Sequence, residues 1–275
     1  MHHGVAPHIQ LSKSLSFCFL PPMSKASLSA IVRYCDQTLR TDKVEDFEGA
    51  VNGLQVENRG TVTRIAAAVD ASIATIRMAI ETGADLLLVH HGLFWRPSHP
   101  WTGKRWELLR LLLENDLAVY SSHLPLDAHP RLGNNARLCA VLGLRKLRPF
   151  FWEHGQFIGL QTRQSISRKE LATRLRLATG AEPCVIPAGL ATCRRIGVVT
   201  GGAGSDLKIA AAEGVDTFIT GEGPHWTYVV AEELGLNVLY GGHYATETFG
   251  VKALAQDLSR RFKVPWSFVD HPTGL

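Results

Sequence analysis

Twenty-nine residues of this chain occur twice in recognisable form, and that repeat restricts the fold more than any other feature. Arg64 to Gly92, RIAAAVDASIATIRMAIETGADLLLVHHG, aligns without a gap on Arg195 to Gly223, RIGVVTGGAGSDLKIAAAEGVDTFITGEG, each 29 residues long. Arg64 pairs with Arg195, Ile65 with Ile196, Ala79 with Ala210, Gly83 with Gly214, Asp85 with Asp216 and Gly92 with Gly223. Each copy reads as strand, helix, strand. The runs Ile65 to Val69 and Leu86 to Val89 are short and continuously apolar, as in strands buried on both faces, and the stretch between them is helical in composition. After a connection eleven residues shorter in the second copy, AVYSSHLPLD (Ala118 to Asp127) meets VLYGGHYATE (Val238 to Glu247). Upstream, the helix-like stretch Leu28 to Leu39 corresponds to Arg168 to Ala178, which opens on the capping-box pattern of Ser167 and Glu170. The chain therefore reads as an α/β protein made of two related halves, 24–150 and 151–275, that enclose a crevice.

With 275 residues the chain can bury a sizeable core as one large domain or two smaller ones. Its 45% hydrophobic and 20% charged residues are those of an ordinary globular protein. No apolar run approaches the roughly 18 to 20 residues that cross a bilayer, so a cytoplasmic protein is expected. The net charge of +4 is dispersed, and the cluster Arg145 to Arg148 holds only three charges, which argues against a nucleic-acid surface. Five cysteines with no CxxC pair argue against a disulfide framework or a cysteine zinc site and fit reduced thiols. Residues 1–23 lack the patterning of the rest of the chain. Their apolar stretch, Leu15 to Leu20, is broken by Ser16 and too short for a secretory core. They are expected to form a disordered extension, with Met23 as a candidate start, so His2, His3 and His8 are left out of any site.

In open α/β sheets ligands bind beyond the carboxyl ends of the strands. His90 and His91 end the first apolar run, and Gly92 frees the backbone so that both imidazoles can turn into one cavity. His243 and Glu247 stand four apart at the start of a helix predicted to run to Arg261, hence on one face. His123 and Asp127 share that spacing, but Pro125 between them predicts a turn, from which only one of the two reaches a metal. Histidines and carboxylates in this combination suit Zn, Fe(II), Mn, Co or Ni, with carboxylates able to bridge two ions. Two such ions roughly 3.5 to 4 Å apart activate water and clamp a phosphoryl or carbonyl oxygen.

Where the first copy has His90 and His91, the second has Gly221 and Glu222. Glu222, His123 and His225 are therefore candidates to move protons, with a solvated loop position as the plainer reading of Glu222 and His225. Gly201 to Gly204, GGAG, lies between strand and helix and reads as a phosphate-binding turn or a purely structural one, lacking the lysine of a Walker loop. Asn52 to Gln55 reads as a turn feeding a strand. Phe94, Trp95, Trp101 and Trp106 either line a pocket, form an oligomer contact or fill core.

The motifs NGLQVE, LLVHHGLFW, SSHLPLDAH, VVTGGAGSD, DTFITGE, GGHYATETFGVKAL and FVDHPTGL, in this order from about Ser27 to Leu275, resemble the NIF3-like family, also called DUF34 or YbgI-like, in its short form. The resemblance implies a dinuclear centre with ligands at His90, His91, Asp127, His243 and Glu247, bridged by Asp127 or Glu247, with His123 as a neighbour. It also implies a toroidal homohexamer, a trimer of dimers, and the label GTP cyclohydrolase 1 type 2 homologue. Two functions follow as expectations. One is a metal-dependent hydrolase acting on a phosphoester or on purine C8 of a nucleotide such as GTP. The other is a non-catalytic hexameric scaffold or metal chaperone.

Overall fold

Both copies of the repeat fold alike, because the same apolar spacing meets the same turn residues. The computed structural model describes Met1 and residues 24–95 and 99–275, and the extension expected before residue 24 falls, apart from Met1, outside them. The first stretch runs β1 (Ala26–Ser27), α1 (Leu28–Leu39), β2 (Gly53–Val56), β3 (Thr61–Val62), β4 (Ile65–Asp70), α2 (Ile73–Glu81), β5 (Leu86–His91), α3 (Lys104–Glu114), β6 (Ala118–Ser121), α4 (Leu124–Asp127) and α5 (Asn134–Val141). The second begins with β7 (Arg148–Glu153), β8 (Gln156–Ser167), α6 (Arg168–Thr179), β9 (Cys184–Pro187) and β10 (Thr192–Val198). A 3-10 turn over Ala203–Asp206 then leads into α7 (Leu207–Ala212), β11 (Thr217–Thr220), α8 (Thr227–Leu234), β12 (Asn237–Tyr240), α9 (His243–Phe262) and β13 (Trp266–Phe268).

One sheet has the order β13-β4-β5-β6-β2 and the other β7-β8-β10-β11-β12-β9, with β1 and β3 pairing apart. The repeat supplies the parallel centre of each: β4, β5 and β6 in the first, β10, β11 and β12 in the second. Side chains on a strand alternate between faces, so a continuous apolar run feeds two cores. Ile65, Ala67, Leu86 and Leu88 enter one, while Ala66, Ala68, Leu87 and Val89 enter the other. Phe218 and Ile219 of β11 divide in the same way.

The paired aspartates of the repeat do the same work twice. The Asp85 carboxylate accepts from the backbone N–H groups of Thr63 and Arg64 at 2.8–3.1 Å, tying the entry of β4 to that of β5. Asp216 accepts from Arg194 and Arg195 at 2.9–3.1 Å at the equivalent place. Upstream, Ser167 caps α6 by accepting from Glu170 N at 3.1 Å, as its position before the helix predicts.

A division at residue 150 does not describe the packing, because each half sends the helix that follows its third parallel strand across to the other. Val251, Leu254, Ala255 and Leu258 of α9 pack in the core of the first sheet with Ile65, Leu86 and Tyr120. Leu138 and Cys139 of α5 pack in the core of the second with Leu171, Leu175 and Ile196. β13 then completes the first sheet beside β4. The two exchanged helices meet at Gly250, where Asn134 Oδ1 accepts from Gly250 N at 2.6 Å; a Cβ on Gly250 would meet that oxygen at 2.8 Å. Among the described residues no helix is long and apolar enough to cross a membrane.

Candidate metal centre

Three strand ends bring the histidines together, the last through the start of the exchanged helix α9. β5 ends in His90, fully buried, and His91, partly exposed. β6 is followed by Ser122, His123 and the single turn α4, with Pro125 in the first helical turn, where its missing N–H costs nothing. β12 is followed by Gly242 and α9, whose first turn carries His243 and, one turn on, Glu247.

Each imidazole is held by Nδ1 to a group that only accepts. His90 Nδ1 lies 2.9 Å from the carbonyl oxygen of Ser122. His91 Nδ1 lies 2.8 Å from Asp70 Oδ1, His123 Nδ1 2.8 Å from Asp46 Oδ1 and His243 Nδ1 2.8 Å from Glu222 Oε1. A carbonyl or an ionised carboxylate cannot donate, so Nδ1 of each ring carries a proton and Nε2 is the nitrogen left to bind a cation or a second proton. Metal-binding histidines are oriented in this way by their surroundings.

The Nε2 atoms converge on Glu247. His90 Nε2 stands 3.4 Å from Glu247 Oε1 and 3.4 Å from Asp127 Oδ2. His91 Nε2 is 3.3 Å and His243 Nε2 3.1 Å from Glu247 Oε2. Two potential ligand sets result, His90 with His91 and His123, and His91 with His243 and Glu247, the donor atoms of each within 4.8 Å of one another. Yet His90 Nε2 and Glu247 Oε2 are buried without a hydrogen-bond partner, a costly state for polar atoms. Donors about 2.1 Å from one ion at tetrahedral angles stand about 3.4 Å apart, which is the spacing seen. The donor set fits a divalent ion.

Charge follows the same logic. Burial works against the Glu247 carboxylate, but the charge of His90 and the contacts of His243 and His91 outweigh it and hold Glu247 well below the usual carboxylate range. Burial presses His90 down, and Asp127 and Glu247 overcome it, leaving it well above the usual histidine value. His243 is likewise pressed down by burial and lifted further by Glu247 and Glu222, to about 9. Without an ion, protons fill the places that a cation would take.

Both members of the His123 and Asp127 pair are brought in, where a single one was expected. The His123 ring lies 4.9 Å from that of His90 and 5.6 Å from that of His91, and Asp127 is fixed by Asn134 Nδ2 at 2.8 Å. One helical turn after β6 is compact enough to present both. Glu222 reaches the centre through His243 alone, its carboxylate occupied in holding Nδ1. His225 is not brought in: it is exposed and lines a separate cavity with Cys184 and Tyr228. Gly201 makes room for a ligand: at a φ of +74° it lies against Glu247, whose carboxylate a Cβ there would overlap. Trp95 lines the cavity over the centre, Phe94 packs edge-on against Trp101, and Trp106 is exposed.

Residue patterns left Asp46, Asn52 and Asp70 unassigned. Asp46 accepts from His123 and from Leu124 N, and Asn52 Oδ1 accepts from His123 N at 2.7 Å. Gln55 Oε1 accepts from Leu93 N at 2.6 Å and fills the space beside Gly92. Asp70 had a usable signal, a charged residue closing an apolar run. Asp46 and Asn52 had none, since their loop meets His123 only in three dimensions.

The family described as Duf34/NIF3 (NGG1p interacting factor 3) matches residues 26–273. A protein of Deinococcus radiodurans named GTP cyclohydrolase 1 type 2 homolog is 41% identical over 247 residues, covering 89% of this chain and 93% of its own. A Pyrococcus horikoshii protein of the same name is 41% identical over 253 residues, covering 89% and 98%. Among solved structures, a Thermus thermophilus protein is 41% identical with a TM-score of 0.84 over 91% of this chain and all of its own. Reduced HcgD from Methanocaldococcus jannaschii is 27% identical with a TM-score of 0.80, covering 90% and 99%.

Proposed function

Because the chain belongs to the Duf34/NIF3 family, we propose that it is a dinuclear divalent-metal hydrolase that opens a C–N bond in the base of a nucleotide. The observation that carries this reading is the convergence of three imidazole Nε2 atoms on the two oxygens of one buried carboxylate, at the edge of a cavity of about 410 Å³. The curated relatives' name supports the nucleotide part of it.

In this proposal His90 and Asp127 would hold one ion, His91 and His243 the other, and Glu247 would contribute to both. Divalent ions held there supply Lewis acidity and make water nucleophilic near neutral pH. The chain's own groups do the rest. Asp70, Glu222 and the Ser122 carbonyl keep the ligand rings turned inward. His123, with its Nδ1 proton donated to Asp46, takes a proton at Nε2 and returns it to the leaving nitrogen, a role open to a residue 12% exposed at the cavity wall. The homohexamer belongs to the same proposal, supported by the apolar side chains Trp226, Tyr228 and Val229 that stand exposed at α8.

Elemental analysis and turnover of GTP and other nucleotides, after loading with Zn, Mn, Fe(II), Co or Ni, test the reading. We expect two ions per chain, loss of both occupancy and turnover in Glu247→Gln, and in His123→Asn retained ions with turnover lower by about 10²–10⁴-fold. Turnover that survives in Glu247→Gln overturns it. Full occupancy without turnover, together with transfer of metal to an acceptor, would replace the hydrolase by a metal carrier.

A further inference from the structure

The cavity at the metal centre is also lined by two aromatic rings that hold no ion, Phe47 and Trp95. A lone exposed aromatic side chain on a protein surface needs no explanation, but these two are fixed in place. Trp95 follows β5, and its indole Nε1–H donates to Gly92 O at 3.0 Å, so the polar end of the side chain is taken and the ring is what remains for a ligand. Phe47 lies in the connection from α1 to β2 and is 45% exposed. Its N–H donates to Asp46 Oδ1 at 2.7 Å, and its ring stands edge-on against His154 at 4.4 Å. The segments that carry the two rings are joined where Val51 N donates to Phe94 O at 3.3 Å and Leu93 N to Gln55 Oε1. β8 braces the first of them through Gln156 Nε2, which donates to Glu45 O at 2.7 Å.

Both rings stand beside the same imidazole. The His123 ring lies 5.1 Å from that of Trp95, at 80°, and 5.7 Å from that of Phe47, at 47°. Asp46 joins them further, since its carboxylate accepts from His123 Nδ1 and also from the N–H groups of Phe47 and Leu124. The carboxylate that fixes the His123 ring therefore also sets Phe47 next to it. Trp95 stands in addition 6.1 Å from the ring of His91. A ligand that reaches His123 from the cavity thus has aromatic surface beside it, and the cavity volume of about 410 Å³ is that of an ordinary small-molecule site.

Aromatic walls favour a flat unsaturated ring, which stacks on them or meets them edge to face, over a flexible sugar or a hydrated phosphate. Because both rings are fixed before a ligand arrives, little side-chain freedom is lost on binding. We propose that Phe47 and Trp95 form a stacking subsite for a flat nitrogen heterocycle such as a purine, and that the subsite sets the bond to be opened beside His123. It recognises the ring itself, so a nucleoside without any phosphate fills it. This deepens the hydrolase reading and rests on it for the reaction, though not for the binding.

The test is calorimetric titration of the full, metal-loaded chain with guanosine and, separately, ribose 5-phosphate. Wild-type protein binds guanosine, and Phe47→Leu and Trp95→Leu each weaken it by about fivefold or more, the lower end of what one stacked base contributes, while metal content stays the same. Phe47→Tyr and Trp95→Phe keep a ring and bind guanosine nearly as wild type does. Trp95→Phe has then lost the hydrogen bond to Gly92 O, which separates stacking from support of the loop. Ribose 5-phosphate, which has no aromatic ring, behaves alike in wild type and all four variants. Equal guanosine affinity in wild type and both leucine variants, no guanosine binding to wild type, or a loss of ribose 5-phosphate affinity that matches the loss for guanosine overturns the subsite. Guanosine binding with the expected pattern but no turnover of any nucleotide overturns the hydrolase reading and leaves the subsite standing. Turnover whose KM is unmoved in both leucine variants does the reverse.

Discussion

The two halves share a scaffold and differ at one strand end, and that difference explains why a duplicated fold builds one centre instead of two. β5 closes on His90 and His91, whereas the residues after β11 are Gly221 and Glu222. Space decides the substitution. A Cβ at Gly221 would meet Gly201 O at 2.6 Å and His243 Cα at 2.7 Å, because the start of α9 packs directly against it. Gly201 matches Asp70 in the repeat, and its missing side chain admits the Glu247 carboxylate. The first half gives ligands from a strand, while the second clears its strand ends so that a helix can give them.

The exchange of helices makes the halves interdependent, and core substitutions can break that claim most forcefully. Leu138 of α5 and Leu258 of α9 are fully buried, each in the core of the opposite sheet. Leu138→Ala and Leu258→Ala should each cost about 2–5 kcal/mol. Both should lower the midpoint of one shared unfolding transition, followed by circular dichroism in guanidinium. If either variant splits the transition in two, the halves fold separately and the exchange is incidental.

The duplication, the strands and the start of α6 were legible because buried parallel strands write themselves as apolar runs, Asp85 and Asp216 recur at the same offset, and Ser167 stands directly before its helix. The exchange was not legible. The apolar face of α9, Val251, Leu254, Ala255 and Leu258, reads the same whichever sheet it covers. For the same reason β13, three residues long, gave no sign that it joins β4. The histidines stood out as polar ends to apolar runs, while Asp46 acts on His123 from 77 residues away, a contact without local trace.

The carboxylates behind the imidazoles sharpen the comparison at a smaller scale. Asp70 holds His91, which belongs to both potential ligand sets, and Glu222 holds His243, which belongs to one. Replacing such a partner weakens metal binding by about 10–100-fold. His91 and His243 face the same oxygen of Glu247, and each has a single Nε2 lone pair to give. Asp70→Asn and Glu222→Gln should therefore each weaken the same one of the two ions in a chelator competition, with the other, beside His90, within error of wild type. A Glu222→Gln variant that weakens both equally would show that the two ions do not bind independently.

The smallest effect expected is the share of the metal-free protein's pH slope that His243 adds to that of His90, which is raised as well. Burial presses His243 down and the carboxylates of Glu247 and Glu222 lift it from 6.5 to about 9. A histidine raised on folding contributes stability that is complete below its unfolded value and lost as pH rises through its folded value. Chelated protein should therefore lose thermal stability between about pH 6.5 and 9. Glu247 acts in the opposite sense, its contribution present above the ordinary carboxylate range and lost only in acid. Metal loading should reverse the slope, since an ion must displace the His243 proton and binds more tightly as that proton leaves. Glu222→Gln removes one of the two carboxylates that lift His243 and should flatten the chelated slope, while Asp70→Asn, acting on His91 in the other half, should leave it unchanged. A slope that is equally sensitive to both substitutions would mean that the protons are shared across the crevice, and the two halves would then titrate as one group.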